Sequence, residues 1–274
     1  MHFSEYRRIE EVENIHFWYR AMEEAVIDMI SRLTGNGNRI ILDAGCGTGG
    51  LSKKLLRFGD VYGLDINKVA LDYARQKGLT RVVSGSVESL PFGENKFDIV
   101  VCLDVLYHRK VNNDRKAIRE LYRVLKPEGF MVLRLPAFES LRGNHDRIVE
   151  TRHRYTVSEI RKKLEAAGFE IENLSYANVL LSLPLFIKRF IERKHFSQKF
   201  SSDTVLLPGI VNELMYRYLK LENKLLTFIS FPYGSSVVCL ARKKEKNKDK
   251  GQPGRSKKKI KRQTEMNMWR LSED

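Results

Sequence analysis

The stretch Ile40-Ile41-Leu42-Asp43-Ala44-Gly45-Cys46-Gly47-Thr48-Gly49-Gly50 runs from an apolar segment into a glycine cluster and on into the helical Leu51 to Leu56. Glycine lacks Cβ, so a backbone turn rich in it approaches a ligand closely and adopts positive φ. A strand ending in such a turn and feeding a helix places a ligand at the carboxyl end of that strand. Asp65 closes a second apolar run about twenty residues further on, where a carboxylate accepts hydrogen bonds from both ribose hydroxyls. Two cofactor types fit this loop, because Gly45, Gly47 and Gly50 also satisfy the G-x-G-x-x-G spacing of a nicotinamide site. A tight turn with no ligand is the plain alternative.

Outward from the loop, apolar runs recur at Arg39 to Leu42, Val61 to Leu64, Arg81 to Val83, Phe97 to Leu103 and Phe130 to Leu135. Helical patterns separate them, among them Val69 to Gln76 and Asn113 to Leu125. Strands that are apolar throughout, alternating with helices, indicate a parallel sheet covered on both faces. Ser158 to Ala167 reads as a helix capped by Thr156 or Ser158 and ended by Gly168, and Ile171 to Tyr176 and Ser236 to Ala241 read as strands six and seven. Ile15, Trp18, Met22, Ala25, Val26 and Met29 carry a helical period from Glu10 to Ile30. The expected fold is thus α/β: a doubly wound, Rossmann-like sheet of seven mostly parallel strands, with a helical insertion between strands six and seven. Its parts are an N-terminal helical cap (1–38), the core (39–176 and 234–243), a helical lid (177–233) and a basic tail (244–274).

Cys46, Cys102 and Cys239 have no paired spacing, which excludes a disulfide framework or zinc ribbon and suits a reducing, cytoplasmic setting. No apolar run approaches the roughly 20 residues of a membrane span, and the N-terminus lacks the pattern of a secretory signal. The net charge of +15 raises a nucleic-acid reading. More than half of that excess lies in residues 242–274, which are nearly without apolar residues before Ile260 and are expected to be disordered.

In the combination ILDAGCGTGG (41–50), YGLDI (62–66), GSVESLPF (85–92), FDIVVCLDVLYH (97–108) and LYRVLKPEGF (121–130), the chain resembles the class I S-adenosylmethionine-dependent methyltransferases over residues 10–241. It looks most like the group with an HFWYR motif, here His16 to Arg20, and with His145-Asp146 and Arg154-Tyr155 after strand five. The resemblance implies S-adenosylmethionine as cofactor. It implies that Gly45, Gly47 and Gly49 line the methionine part, that Asp65 holds the ribose, and that Ser86 and Val87 meet the adenine. Asp43, Ile66 and Leu103 belong to the same set, with the Leu103 to His108 turn near the sulfonium. Trp18 and Tyr19 are packing residues rather than catalysts; Trp18 and Arg20 reach the cofactor, Arg20 as a partner for its carboxylate. Relatives carry Asp where this chain has Ser86 and Glu where it has Tyr107, and a hydroxyl holds the adenine amino group more weakly than a carboxylate.

An activated methyl needs no protein nucleophile, only alignment, and a general base if the acceptor is a hydroxyl. His108, His145 and His153 fall where that base belongs, at the carboxyl ends of strands four and five. His108 reads equally as a hydrogen-bonded structural histidine, and the Asn144 to Tyr155 segment as a solvated charged loop. Metal ligation is not expected from their spacing. The favoured function is O-methylation of a small-molecule, lipid-linked or glycan acceptor; RNA methylation, a non-catalytic binding module and a dehydrogenase are the alternatives. Val179 to Ile187, apolar and followed by Lys188, Arg189, Arg193 and Lys194, suggests peripheral contact with an anionic membrane. The stripe Val211, Leu214, Tyr218, Leu221, Leu225 and Phe228 reads first as core packing.

Overall fold

The computed structural model describes residues 3–34, 37–194 and 206–244; the expectation for the basic tail lies outside them. Seven strands, β1 (Arg39–Ala44), β2 (Gly59–Asp65), β3 (Val82–Ser84), β4 (Phe97–Leu103), β5 (Leu125–Pro136), β6 (Phe169–Ala177) and β7 (Ser236–Lys243), form one sheet in the order β3-β2-β1-β4-β5-β7-β6. The first five are parallel, and β7 runs antiparallel between β5 and β6. The helices are α1 (Phe3–Val12), α2 (Phe17–Thr34), α3 (Gly50–Leu55), α4 (Lys68–Gln76), α5 (Asp114–Val124), α6 (Asn144–Ile148), α7 (Val157–Ala167), α8 (Val179–Lys194) and α9 (Gly209–Leu225). The doubly wound, mostly parallel sheet of the sequence reading is therefore present, with α8 and α9 between the last two strands.

Side chains alternate across a strand, and both faces here are covered. Ile99 and Val101 join Ile41, Val61 and Val132 beneath Val26, Ile30, Leu51 and Leu55 of α2 and α3. Val100 and Cys102 join Leu42, Leu64 and Leu133 against Ile118 and Leu121 of α5 and Ile160 and Leu164 of α7. Local caps set the helix starts: Asn67 accepts the Val69 N–H at 2.9 Å, Asn113 the Lys116 N–H at 3.0 Å, and Thr156, not Ser158, the Glu159 N–H at 3.2 Å.

Two expectations need correction. The period from Glu10 to Ile30 is not one helix: α1 ends at Val12, the chain turns through Glu13 to His16, and α2 starts afresh with His16 Nδ1 accepting the Trp18 N–H at 3.2 Å. The other start bond of α2 comes from far away, since Asn212 Oδ1 accepts the Phe17 N–H at 2.9 Å while its Nδ2 donates to Ile15 O at 2.9 Å. The α9 stripe, apart from Tyr218, which packs beside Leu219, is likewise not a packing face. α9 lies on α2 through Leu219, Asn212, Tyr216 and Asn223, and Leu214, Leu221, Leu225 and Phe228 are exposed.

Candidate functional site

The carboxyl ends of β1 to β5 open into one cavity of about 780 Å³. Its closed end is the glycine turn. Gly45 (φ +95°) has Val105 so close that a Cβ would lie 2.1 Å from Val105 Cγ2. Gly47 (φ +53°) faces the cavity, and a Cβ there would meet nothing within 4 Å, so its bare backbone forms part of the cradle. Asp65, 8% exposed, receives the Gly47 N–H at 3.0 Å on one carboxylate oxygen and the Asn67 N–H at 2.8 Å on the other. Burial raises its pKa against those bonds. Each oxygen retains lone pairs on the cavity side, where two hydroxyls can donate.

This end is acidic throughout. Asp43, buried and accepting from Ser52 Oγ at 2.5 Å, is pushed up to about 6 by desolvation. Glu13 accepts from Thr48 Oγ1 at 2.8 Å and pairs with Lys77; Glu23, raised by burial, pairs with Lys54. Buried carboxylates are costly unless compensated, so the end favours a cationic ligand. The Glu13 carboxyl lies 2.7 Å from where a Gly50 Cβ would stand, directly over the N-terminus of α3. A dinucleotide site places its pyrophosphate at that helix start. Here the Glu13 carboxylate, held by Lys77 and Thr48, occupies the place, which disfavours the nicotinamide alternative left open by the glycine spacing.

The predicted cofactor residues Trp18, Asp43, Gly45, Gly47, Asp65, Ile66, Ser86, Val87 and Leu103 all line the cavity. Gly49 and Arg20 do not. At Gly49 (φ +83°) a Cβ would run into Leu79 and Ala74, so this glycine serves the packing of α3 against α4. Arg20 pairs with Glu213 at 3.2 Å and stacks over the Tyr216 ring at 3.9 Å, which directs it to α9 and away from the cofactor. Tyr6, Ile9 and Glu13 were missed: α1 closes over the loop, and Tyr6 is raised by burial and then by Asp65. No local pattern in α1 marks that contact.

Of the three histidines, His145 and His108 line the cavity and His153 does not. His153 is held outside between Glu159, at 2.9 Å, and Glu139, at 3.3 Å. His108 uses Nδ1 to accept the Lys110 N–H at 3.1 Å and is depressed to about 4 by burial, so it stays neutral and its lone pair is engaged. The rest of the polar loop is a clasp: Arg154 grips the Asp146 carboxylate at 2.8 and 3.2 Å, and the Tyr155 hydroxyl donates to Asp114 at 2.8 Å. The outer chamber has an aromatic and apolar wall of Trp18, Tyr19, Tyr107, Val149 and Leu207 and a roof of Leu181, Pro184 and Leu185 of α8, with Lys110, Thr151, Lys188, Ser235 and Ser236 as further polar lining. Asp104 (φ +53°), at the tip of β4, is held by Arg134, which also lies over the Trp18 ring at 4.2 Å. Among the described residues no group of three His, Cys, Asp or Glu could hold a metal ion, and the three cysteines are buried thiols.

Residues 42–133 match the family model described as a methyltransferase domain. Over 167 residues the chain is 28% identical to an uncharacterised protein of Methanocaldococcus jannaschii, covering 60% of this chain and 68% of that one. Over 121 residues it is 36% identical to the ubiquinone/menaquinone biosynthesis C-methyltransferase UbiE of Cronobacter sakazakii, covering 39% of this chain and 47% of that protein. The chain thus spans less than half of the UbiE sequence. Among solved structures, a TehB-like S-adenosylmethionine-dependent methyltransferase from Corynebacterium glutamicum has TM-score 0.53 at 20% identity, covering 88% of this chain and 95% of its own. The [4+2]-cyclase SpnF has TM-score 0.52 at 23% identity, covering 80% of each. A shared fold does not by itself decide the chemistry.

The residues present fit an S-adenosyl cofactor. Asp65 suits the ribose, the bare Gly45 to Gly47 backbone and the acidic wall suit an ammonium and a sulfonium, and Ile66, Ser86 and Val87 flank space for a base. Residues 42–133, which hold the glycine turn, Asp65 and β4, are a methyltransferase domain, and that match, with the fold and the fit of the site, supports a class I S-adenosylmethionine-dependent methyltransferase with S-adenosylmethionine as its cofactor.

Proposed function

We propose that the chain methylates a hydroxyl on a small-molecule or lipid-linked acceptor whose body is apolar. The observation that carries this reading is the division of one cavity into an acidic end at the glycine turn and an aromatic, apolar chamber under α8. The bound cofactor supplies an activated methyl. The chain's own work is to hold acceptor and donor in line and to exclude water, which accounts for roughly 7–11 kcal/mol of barrier in well-oriented systems. The roof of Leu181, Pro184 and Leu185 and the Trp18 and Tyr107 walls keep the chamber dry. His145 is the histidine placed to take the acceptor proton, a role worth about 10²–10⁴-fold. An RNA strand finds few cations in this chamber; Lys110, Arg154 and Lys188 line it, and Arg154 is engaged with Asp146.

The naming of UbiE relatives as C-methyltransferases favours a second reading, transfer to a ring carbon activated by loss of a phenolic or enolic proton. The same base serves both. The test is transfer of radiolabelled methyl to fractionated cell lipids, quinols, glycans, RNA and protein, followed by identification of the methylated atom. Label in an apolar small molecule or lipid supports the proposal. Label confined to RNA or protein, or none from a chain that binds the cofactor, overturns it.

A further inference from the structure

A surface helix normally turns a polar face to water. α9 exposes an apolar one: Ile210, Leu214, Leu221 and Leu225 are 79, 61, 58 and 42% exposed, their spacing of 4, 7 and 4 residues keeps them within one narrow stripe, and Phe228, 84% exposed, follows in the turn after the helix. Leu219, nine residues from Ile210 and so on the opposite side, is the residue buried against α2. α8 repeats the arrangement: Leu181, Pro184 and Leu185 face the cavity, while Leu180, Leu183, Phe186 and Ile187 are exposed on its other side. The two helices are joined where Glu222 of α9 accepts the Val179 N–H at 3.1 Å at the start of α8, and the Tyr218 hydroxyl meets the Leu180 backbone. Monomeric proteins rarely expose apolar area on this scale without an occupant.

We infer that the exposed faces of α8 and α9 dock on the surface of an anionic bilayer. Charge decides among occupants. Arg217 and Lys224, both exposed, border the α9 stripe along one side, with the partly exposed Lys220 between them. An apolar stripe edged by cations is the pattern of helices that lie in the headgroup layer. The net charge of +15 adds long-range attraction to anionic lipid. A second copy docked antiparallel, stripe to stripe, would set the cationic edge against its own counterpart. Arg189 takes no part: it is buried and donates to Leu141 O at 3.1 Å, and Lys188 lines the cavity, so these two of the basic residues after Ile187 are not the headgroup contact. The roof of the acceptor chamber is then one helix thick between bilayer and cavity, which offers an apolar acceptor a direct route in. This consequence rests on the proposed function; the docking itself does not.

The test uses the full chain with phosphatidylcholine vesicles and with mixed phosphatidylcholine and phosphatidylglycerol vesicles. Sedimentation with the mixed vesicles, falling as salt rises, and little with phosphatidylcholine alone is the result expected. Leu183→Asp/Phe186→Asp and Leu214→Asp/Phe228→Asp should each lower the partition coefficient about 100-fold, since two large apolar side chains no longer enter the interface. Their affinity for S-adenosylhomocysteine should equal that of the parent, which separates this inference from the methyltransferase reading and shows that the variants fold. Equal binding to both vesicle types, no binding to either, or unchanged binding by both variants overturns it. A dimer in sedimentation velocity that the same substitutions dissolve, without vesicle binding, also overturns it and assigns the faces to a second copy.

Discussion

Replacing Gly45 with alanine tests the geometry of the glycine turn in a way that separates two costs. At φ +95° an L-residue is strained by about 1–2 kcal/mol. The added Cβ would also stand 2.1 Å from Val105 Cγ2, and relieving such crowding costs about 1–3 kcal/mol. Gly45→Ala should therefore lose about 2–5 kcal/mol, or about 4–20 °C in Tm for a chain of this size. Val105→Ala removes the obstructing methyls but leaves φ unchanged. In a double-mutant cycle by urea unfolding, Gly45→Ala in the Val105→Ala background should cost only the strain, giving a favourable coupling of about 1–3 kcal/mol. Additivity of the two substitutions, or a Gly45→Ala chain within about 0.5 kcal/mol of the parent, would refute the close approach of Val105, in the loop after β4, to the turn.

Asp43 carries a pH dependence. Its folded pKa, about 6, lies above the ordinary 3.8, so between these values the folded chain holds a proton that the unfolded chain has lost, and stability falls as pH rises through that window. Asp43→Asn should flatten this fall in urea unfolding across the window. The affinity for cationic S-adenosylmethionine relative to S-adenosylhomocysteine should rise through about pH 6 in the parent and not in the variant. His108 acts in the opposite sense: depressed to about 4 from 6.5, it contributes stability that is lost as pH falls between those values, and His108→Gln should remove that loss in the same unfolding series. Once an acceptor is found, His145→Ala should lower kcat about 10²–10⁴-fold with cofactor affinity intact. His153→Ala, outside the cavity, should leave kcat within a few-fold; equal losses in both would contradict the placement. Arg154→Met strands the buried Asp146 carboxylate and should cost about 3–5 kcal/mol in thermal or urea unfolding, whereas Arg75→Met, on the exposed Arg75–Asp72 pair, should cost under about 1 kcal/mol.

The sheet and the glycine turn were legible because their determinants are local. Apolar runs such as Phe97 to Leu103 need no distant partner to be read as strands buried on both faces, and Asp65 follows its strand directly. What escaped depends on residues far apart in sequence. The start of α2 is completed by Asn212, and Arg20 is claimed by Glu213 and Tyr216, each nearly two hundred residues away. His153 and His145 look alike in sequence, yet two glutamates hold one outside the cavity while the other faces it. Asp146 and Arg154, which stand out in the sequence only as motif residues of a polar segment, are each other's partner. The α9 stripe shows the limit of periodicity: it identifies a helical face without saying whether protein or solvent meets it, and here the packed face is the mixed one around Leu219.

The central claim, an S-adenosyl cofactor held at the glycine turn by Asp65, is tested most directly by calorimetric titration of the chain and its Asp65→Ala variant with S-adenosylhomocysteine and, in parallel, with nicotinamide dinucleotide. The account predicts one-to-one binding of S-adenosylhomocysteine, a loss of about 10–100-fold or more in the variant as the charge-assisted ribose bonds go, and no binding of the dinucleotide against the Glu13 carboxylate. Dinucleotide binding, absence of S-adenosylhomocysteine binding, or an affinity unchanged by Asp65→Ala would contradict it.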